Sequence, residues 1–168
     1  MAAILRAAPF ELHPMVPSML DAVMRIEVHA YAFPWSRGNF ADSLAAGYSA
    51  WTVWEQGRLV AYAVLMFGVD EAHLLNITVD VDAQGRGIGA WLLGEMMNLA
   101  RSRGAARLFL EVRPSNHVAR HLYLCAGMRE IGLRKRYYPS EGQTREDAVV
   151  MAIDLHPVMP SHDQQGLA

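Results

Sequence analysis

The feature that most constrains this chain is a glycine-rich segment that joins a β-rich run to an apolar helix. Residues 80–97 read DVDAQGRGIGAWLLGEMM. Glycine accepts backbone angles that other residues avoid, so the N–H groups at the start of the helix can converge on an anion. A helix N-terminus also carries a partial positive charge. The segment therefore predicts a strand, a phosphate-binding loop and a helix that extends to about Gly104.

Patterns of apolar residues predict the other elements, and their order indicates the fold class. Before the loop we expect a strand at 3–8, helices within 15–33 and 34–47, and a three-stranded meander at 48–55, 58–68 and 72–80. Ser36 is the expected N-cap of the second helix. After the loop helix we expect a strand at 106–112, a helix at 115–127 and a closing hairpin at 128–138 and 146–154. This order predicts an α/β (α+β) fold, with a central mixed sheet of about six to seven strands and helices on both faces.

The length and composition are those of one folded domain. The chain has 168 residues, of which 52% are hydrophobic and 19% are charged. These values suit a single core, which we expect to span residues 1–155. The remainder, 156–168, is rich in Pro, His and Gln and has no periodicity, so we expect a flexible tail.

Charge, cysteine content and hydropathy limit the expected partners and compartment. The formal net charge of -2 gives no reason to expect binding to nucleic acid or to an acidic membrane surface. Cys125 is the single cysteine, so no internal disulfide can form and a reducing compartment is expected. Arg6, Pro9 and Glu11 interrupt the N-terminal segment before it can form a secretory signal. No run approaches the ~20 apolar residues of a membrane span. We therefore expect a cytoplasmic protein.

The glycine segment is compatible with more than one phosphate ligand. A nucleoside triphosphate is disfavoured because no Gly-Lys-Ser/Thr follows. A dinucleotide loop fits the frame Gly85-x-Gly87-x-x-Ala90, with Glu111 as the acid that would bind a ribose. The polar segment before Gly85, the elements that precede the loop and the short chain all argue against it. A glycine-rich turn without a ligand is the remaining alternative.

A second frame, Gln84-x-x-Gly87-x-Gly89 after a strand that ends near Asp80, resembles the acyl-CoA pyrophosphate loop of the GCN5-related N-acetyltransferases (GNAT). The element order is also similar to that family's, up to about Leu155. The resemblance implies acetyl-CoA as co-substrate, held by the strand end, the loop and one side chain further on: Ile77, Thr78, Val79, Gly85, Arg86, Gly87, Ile88, Gly89, Ala90 and Asn116. It also implies that residues 77–79 splay from the strand of Glu111, so that a backbone N–H near Val79 polarises the thioester carbonyl.

The resemblance assigns an acid and a base for direct transfer in a ternary complex. Glu111 ends the apolar run LFLE and would take the proton of the amine, whereas Tyr123 would protonate the coenzyme A sulfur. Without the resemblance, Glu111 is equally a solvated strand end, Tyr123 is a buried helical aromatic, and Asn116 is a helix cap. No metal is expected, because His117 and His121 have no third ligand nearby.

Several further segments resemble the bacterial ribosomal-protein-alanine N-acetyltransferases (RimI type). They include AFPWS (32–36), NITVD (76–80), LEVRPSN (110–116), LY (122–123), YYP (137–139) and REDAVVM (145–151). The resemblance implies acetylation of the N-terminal alanine of a small-subunit ribosomal protein, whose N-terminal segment would be the partner of a monomer or weak dimer. The peptide slot would lie between Phe33, Pro34 and Trp35 on one side and Tyr137 and Tyr138 on the other.

Alternatives to this reading stay open. Phe33 and Trp35 could be ordinary core aromatics, and Cys125 is expected to be a small core residue rather than a nucleophile. The same chemistry could act on another protein N-terminus, on a lysine or on a small amine. The chain could also bind acyl-CoA without catalysis.

Overall fold

A mixed β-sheet runs through the part of the chain that the computed structural model describes, residues 9–156. In chain order, the helices and strands of this part are β1 (Glu11–Pro14), α1 (Leu20–Ala30), α2 (Arg37–Ala45), β2 (Ser49–Glu55), β3 (Arg58–Phe67), β4 (Glu71–Val79), α3 (Ile88–Ser102), β5 (Arg107–Val112), α4 (His117–Cys125), β6 (Arg129–Pro139) and β7 (Arg145–Asp154). Among these residues the sheet has seven strands in the order β1-β2-β3-β4-β5-β7-β6. The predicted fold class is confirmed, as is the predicted order of elements from α1 to β7, whereas β1 was not predicted. The strand expected at 3–8 and all but the first residue of the expected tail lie outside the described residues.

Helices α1 and α2 cover one face of the sheet. α1 buries Leu20, Val23 and Ile26 at helical spacing. α2 begins with the predicted cap: the Ser36 side chain accepts a hydrogen bond from the Asn39 N–H at 3.1 Å, and the Asn39 side chain accepts one from the Ser36 N–H at 2.8 Å. This reciprocal pair satisfies two backbone donors and fixes where α2 starts, just after the segment 31–36.

Helices α3 and α4 cover the opposite face. The expected apolar helix is α3, in which Ile88, Leu92 and Met96 lie on one face and are fully buried in the larger core. β3 lies between the two layers, and its side chains alternate: Ala61 and Ala63 pack toward α3, whereas Tyr62 packs toward α1. Within residues 9–156, no helix is long and apolar enough to cross a membrane.

The strands β4 and β5 are parallel neighbours that separate part of the way along. They pair from Glu71 with Arg107 to Leu74 with Leu110. The β3–β4 register then shifts, since Leu65 pairs with Leu74 but Val64 pairs with Asn76. The extra residue is a β-bulge, which bends a strand. Beyond it β4 still pairs with β3 as far as Val79, but its pairing with β5 has ended at Leu74. The expected splay is therefore present, and it opens a gap in the middle of the sheet.

Candidate active site

A cavity of about 470 Å³ occupies this gap. Tyr31 and Trp35 line it from the α1–α2 side, and Tyr123 of α4 lines it from the opposite face of the sheet. Glu111 of β5 also lines the cavity. The space therefore passes between the layers, and it brings the predicted base and the predicted acid into one site.

Glu111 is placed by the alternation of β5. Leu110 and Val112 are buried toward α3 and α4, so Glu111 projects to the other face. Its side chain is 14% exposed, and its Oε1 lies 3.2 Å from an Arg134 side-chain nitrogen. Glu111 is therefore a shielded, paired carboxylate rather than a solvated strand end. Nothing in the sequence pattern indicated Arg134 as its partner.

Tyr123 is both a core residue and a cavity residue. It is 7% exposed, belongs to the larger core, and also lines the cavity. Burial is the main cause that raises the pKa of its hydroxyl, and the nearby Tyr31 and Tyr138 add to it. A tyrosine hydroxyl is protonated at neutral pH in any case, and the raised pKa keeps it protonated at higher pH as well.

The splayed half of β4 has backbone groups that face away from β3; Ile77 lines the cavity, whereas Thr78 and Val79 are not among its lining residues. The Ile77 carbonyl accepts a hydrogen bond from the Tyr31 hydroxyl at 3.3 Å, and the Val79 carbonyl accepts one from Gln84 Nε2 at 3.1 Å. Both carbonyls therefore point away from the β3 ladder. The N–H groups of Ile77 and Val79 point the same way, because both backbone groups of one strand residue face the same side. Since β5 has diverged there, these donors are free to bind a ligand.

The glycine loop leads directly into α3. Gly85 and Gly87 have φ angles of 76° and 82°, a left-handed conformation that glycine adopts without strain. Gly87 is the residue before Ile88, so the first N–H groups of α3 face the loop. A Cβ at Gly89 would lie 3.5 Å from Leu122 and 3.6 Å from Val79, so the loop packs closely on α4 and β4.

Two residues expected to hold the coenzyme have other partners. Both terminal nitrogens of Arg86 donate to Glu55 of β2, at 2.8 and 2.6 Å. The Thr78 hydroxyl lies on the α1 side, 2.9 Å from the Tyr31 hydroxyl and 2.7 Å from Asn76 Oδ1. The loop therefore presents backbone N–H groups, rather than these two side chains, to an anion.

Asn116 lines the cavity at the start of α4 and is also its N-cap. Its Oδ1 accepts a hydrogen bond from the Ala119 N–H at 3.1 Å. Its side-chain nitrogen has no hydrogen-bond partner among the described residues. The cap and the predicted contact with a ligand are therefore compatible, because they use different atoms.

The aromatic residues predicted for a peptide slot line the cavity on two sides. Phe33 is 42% exposed, so it is not a core residue. Trp35 also packs on Phe40, with ring centres 5.1 Å apart, and so it belongs to both core and cavity. Tyr137 and Tyr138 meet edge to face at 4.8 Å on the opposite side. Burial is the main cause that raises the pKa of the Tyr138 hydroxyl.

One buried carboxyl group that lines the cavity was missed by sequence reasoning. Glu27 of α1 is 1% exposed and lines the cavity. It accepts hydrogen bonds from the Trp35 N–H at 2.8 Å, from the Tyr62 hydroxyl, and from Asn76 Nδ2 at 3.4 Å. Glu27 thus ties the segment 31–36 to β3 and β4. A glutamate at a core position of α1's buried stripe is the signal that could have revealed it.

One expectation outside the cavity is wrong. Cys125 is exposed rather than part of the core, because it lies on the outer side of α4, with its Sγ 3.5 Å from His121 Nε2. Within residues 9–156 there is no group of three or more potential ligands that could hold a metal ion.

The chain is similar to known acetyltransferases. Residues 20–128 match the acetyltransferase (GNAT) family. The chain is 40% identical over 136 residues to the ribosomal protein bS18-alanine N-acetyltransferase of Escherichia coli K12, covering 81% of this chain and 91% of that protein. The crystal structure of the ribosomal-protein-S18-alanine N-acetyltransferase from Escherichia coli is 36% identical, with a TM-score of 0.81 over 90% of this chain and 97% of that one. A Salmonella typhimurium structure with its cofactor acetyl-CoA is 16% identical and shares the fold, with a TM-score of 0.72 over 90% and 97%.

These similarities agree with the site built from the residues. The N–H groups of the glycine loop suit a pyrophosphate, and those of Ile77 and Val79 suit the amide groups of an extended arm that enters the gap between β4 and β5. The dinucleotide alternative is set aside, since the family takes an acetyl group from acetyl-CoA. The chain belongs to the acetyltransferase (GNAT) family and is an N-acetyltransferase that uses acetyl-CoA as its co-substrate.

Proposed function

We propose that this enzyme acetylates the N-terminal alanine of ribosomal protein bS18. The observation that carries the proposal is the single cavity that contains Glu111 and Tyr123 on the two sides of the splay, next to an aromatic slot. The name of the Escherichia coli relative, which covers most of both chains, supports the choice of substrate.

Glu111 is the general base in this proposal. At neutral pH much of an N-terminal amine is protonated, since its pKa is about 8. The carboxylate of Glu111 lies inside the cavity and takes the proton that the amine must lose before it becomes nucleophilic. An arriving ammonium group replaces the positive charge of Arg134, which is 54% exposed and can turn toward solvent.

Tyr123 and the backbone of β4 act on the thioester of acetyl-CoA. Acetyl-CoA supplies an activated acetyl group as a thioester. The N–H of Val79 donates a hydrogen bond where negative charge develops on the carbonyl oxygen, which is an oxyanion-hole role. The Tyr123 hydroxyl, kept protonated by its burial, gives its proton to the departing sulfur. No covalent intermediate on the protein is needed.

The aromatic slot holds the peptide. Phe33 and Trp35 form one wall and Tyr137 and Tyr138 form the other, with Asn116 toward the coenzyme arm. Rigid aromatic side chains provide contact area at a low cost in conformational entropy.

The proposal is tested with the full-length enzyme, acetyl-CoA and a short peptide that carries the N-terminal sequence of bS18 from the same organism. We expect one acetyl group on the α-amine, located by tandem mass spectrometry. The control is the same peptide with a blocked α-amine, which should not react. A lysine-containing peptide and a polyamine test the other acceptor classes.

Thermal melting separates binding from catalysis in the same experiment. A ligand at ~100 times its Kd adds about 2.7 kcal/mol of stability, and each kcal/mol raises the Tm of a chain of this size by roughly 2–4 °C. Stabilisation by acetyl-CoA together with α-acetylation supports the proposal. If acetyl-CoA stabilises the protein but lysine or the polyamine is acetylated faster than the bS18 peptide, the proposed substrate is wrong. If acetyl-CoA stabilises the protein and no acceptor is acetylated, the proposed catalytic activity is wrong.

A further inference from the structure

We propose that Arg113 is a positioning residue that clamps the two aromatic walls of the slot together, next to the base Glu111. The inference rests on the proposed function, because it takes Phe33 and Tyr138 to be walls of a peptide slot. No role for Arg113 follows from the sequence pattern.

The guanidinium of Arg113 lies between two rings that come from distant segments. Its Cζ is 5.4 Å from the centre of the Phe33 ring and 4.4 Å from the centre of the Tyr138 ring. A guanidinium can stack on an aromatic ring with its planar face, which the ammonium of lysine cannot do. No hydrogen bond among the described residues joins segment 31–36 directly to segment 137–146. Arg113 is therefore a physical link between the two walls.

The clamp is anchored on the β6–β7 side. Arg113 Nη1 donates to the Pro139 carbonyl at 2.8 Å and lies 3.3 Å from a Glu146 carboxylate oxygen. The other oxygen of Glu146 accepts a hydrogen bond from the Ser115 N–H at 2.8 Å. The side chains of Arg113 and Glu146 are 24% and 23% exposed, so the pair is more shielded than an ordinary surface ion pair. Hydrogen bonds from Ser115, and then the contact with Arg113, hold the pKa of the Glu146 carboxyl below its usual range.

The anchoring is needed because β6 is irregular at this point. Its register with β7 shifts between Arg134 and Tyr138, where β6 contains extra residues. Phe33 likewise lies in the connection between α1 and α2, outside any helix or strand. Tyr138 pairs with Glu146 only beyond this break, and Phe33 has no strand partner, so ordering the two walls against each other would otherwise oppose peptide binding.

Arg113 also lies next to the proposed base in the sequence. Arg113 follows Glu111 by two residues, just after β5 ends at Val112, so it continues the face that carries Glu111. Loss of the clamp leaves Glu111, Tyr123 and the backbone of β4 in place. It should therefore weaken peptide binding while chemistry in the bound complex is nearly preserved.

The test compares R113M and R113K with the matched control R129M. Arg129 is also a paired arginine of the β6–β7 region, with Asp154 at 3.1 Å, but it is not a cavity residue. For R113M we expect the peptide KM to rise about tenfold or more, with kcat within about threefold and acetyl-CoA stabilisation unchanged. R113K should fall between R113M and the wild type, because it keeps the charge but not the planar fork. R129M should match the wild type.

A second readout does not depend on the identity of the substrate. Hydrogen–deuterium exchange of segments 31–36 and 137–146 should become faster in R113M than in R129M, in the absence of any ligand. An unchanged peptide KM in R113M, or unchanged exchange in both segments, would overturn the inference. If the wild type does not acetylate the peptide, the proposed function fails, and the exchange experiment still decides whether Arg113 links the two walls.

Discussion

The two halves of the β4–β5 pair are built in opposite ways. From Glu71 to Leu74, β4 pairs in register with β5, and the side chains Leu74, Leu108 and Leu110 are buried in the larger core. Beyond Leu74 the strands diverge, and the polar groups of Asn76, Thr78 and Glu111 appear.

The difference shows how one sheet provides both stability and a reaction site. In the closed half, backbone groups are satisfied within the sheet, so nothing remains for a ligand. In the splayed half, two carbonyls are satisfied by Tyr31 and Gln84, while the N–H groups of Ile77 and Val79 stay available. Substitutions in the splayed half should therefore reduce activity more than stability, and substitutions in the closed half should do the reverse.

The largest effect is expected for Glu111→Gln in the splayed half. Glutamine has nearly the same shape as glutamate but cannot take a proton, so kcat should fall by ~10²–10⁴. Stabilisation by acetyl-CoA in thermal melting should stay close to that of the wild type. A parallel loss of cofactor binding and turnover would remove Glu111 from the role of base.

Leu108→Ala tests the closed half. Leu108 pairs with Ala72, is fully buried and does not line the cavity, so its truncation should leave a void in the core and cost about 2–5 kcal/mol of unfolding free energy. The measurement is urea unfolding, with kcat recorded under conditions where the variant is folded. If kcat fell as strongly as in the Glu111 variant, the two halves would not be separable.

Tyr123→Phe removes a hydroxyl and keeps the ring in the core. Because burial raises the pKa of this tyrosine above its usual value of 10.0, the hydroxyl is protonated across the working pH range. We expect kcat to fall by roughly 10², with little change in Tm. The pH dependence of kcat around neutral pH should therefore have the same shape in the variant as in the wild type. If the variant turned over as fast as the wild type, Tyr123 would be a core residue without a catalytic role.

Gly87→Ala should have the smallest of these effects. An alanine at the φ of 82° is strained by about 1–2 kcal/mol, although a Cβ there meets no atom within 4 Å. We expect a lower Tm and a higher KM for acetyl-CoA. The matched control is Gly94→Ala in α3, where a Cβ also meets nothing within 4 Å and where alanine should stabilise by about 0.5–1 kcal/mol. A Gly87 variant that behaves like the Gly94 variant would show that the loop tolerates other backbone angles.

The sequence by itself determined the order of the elements from α1 to β7 and the position of the glycine loop, whereas the proposed base and acid came from the family resemblance. The order and the loop follow from local signals: the spacing of Ile88, Leu92 and Met96 specifies one buried helix face, and Ser36 followed by Asn39 specifies a helix start. The splay was expected only from the family resemblance. Its cause, the bulge at Leu75, could not be predicted, because a bulge depends on the register between two strands.

Tertiary structure alone decided which side chains meet across the cavity. Arg134 reaches Glu111, the side chain of Arg86 in the glycine loop is held by Glu55, and Arg113 links Phe33 to Tyr138. Each of these pairs joins residues that are far apart in the sequence. Their distances depend on how the strands twist and where the helices pack, and residue type and spacing carry no information about either.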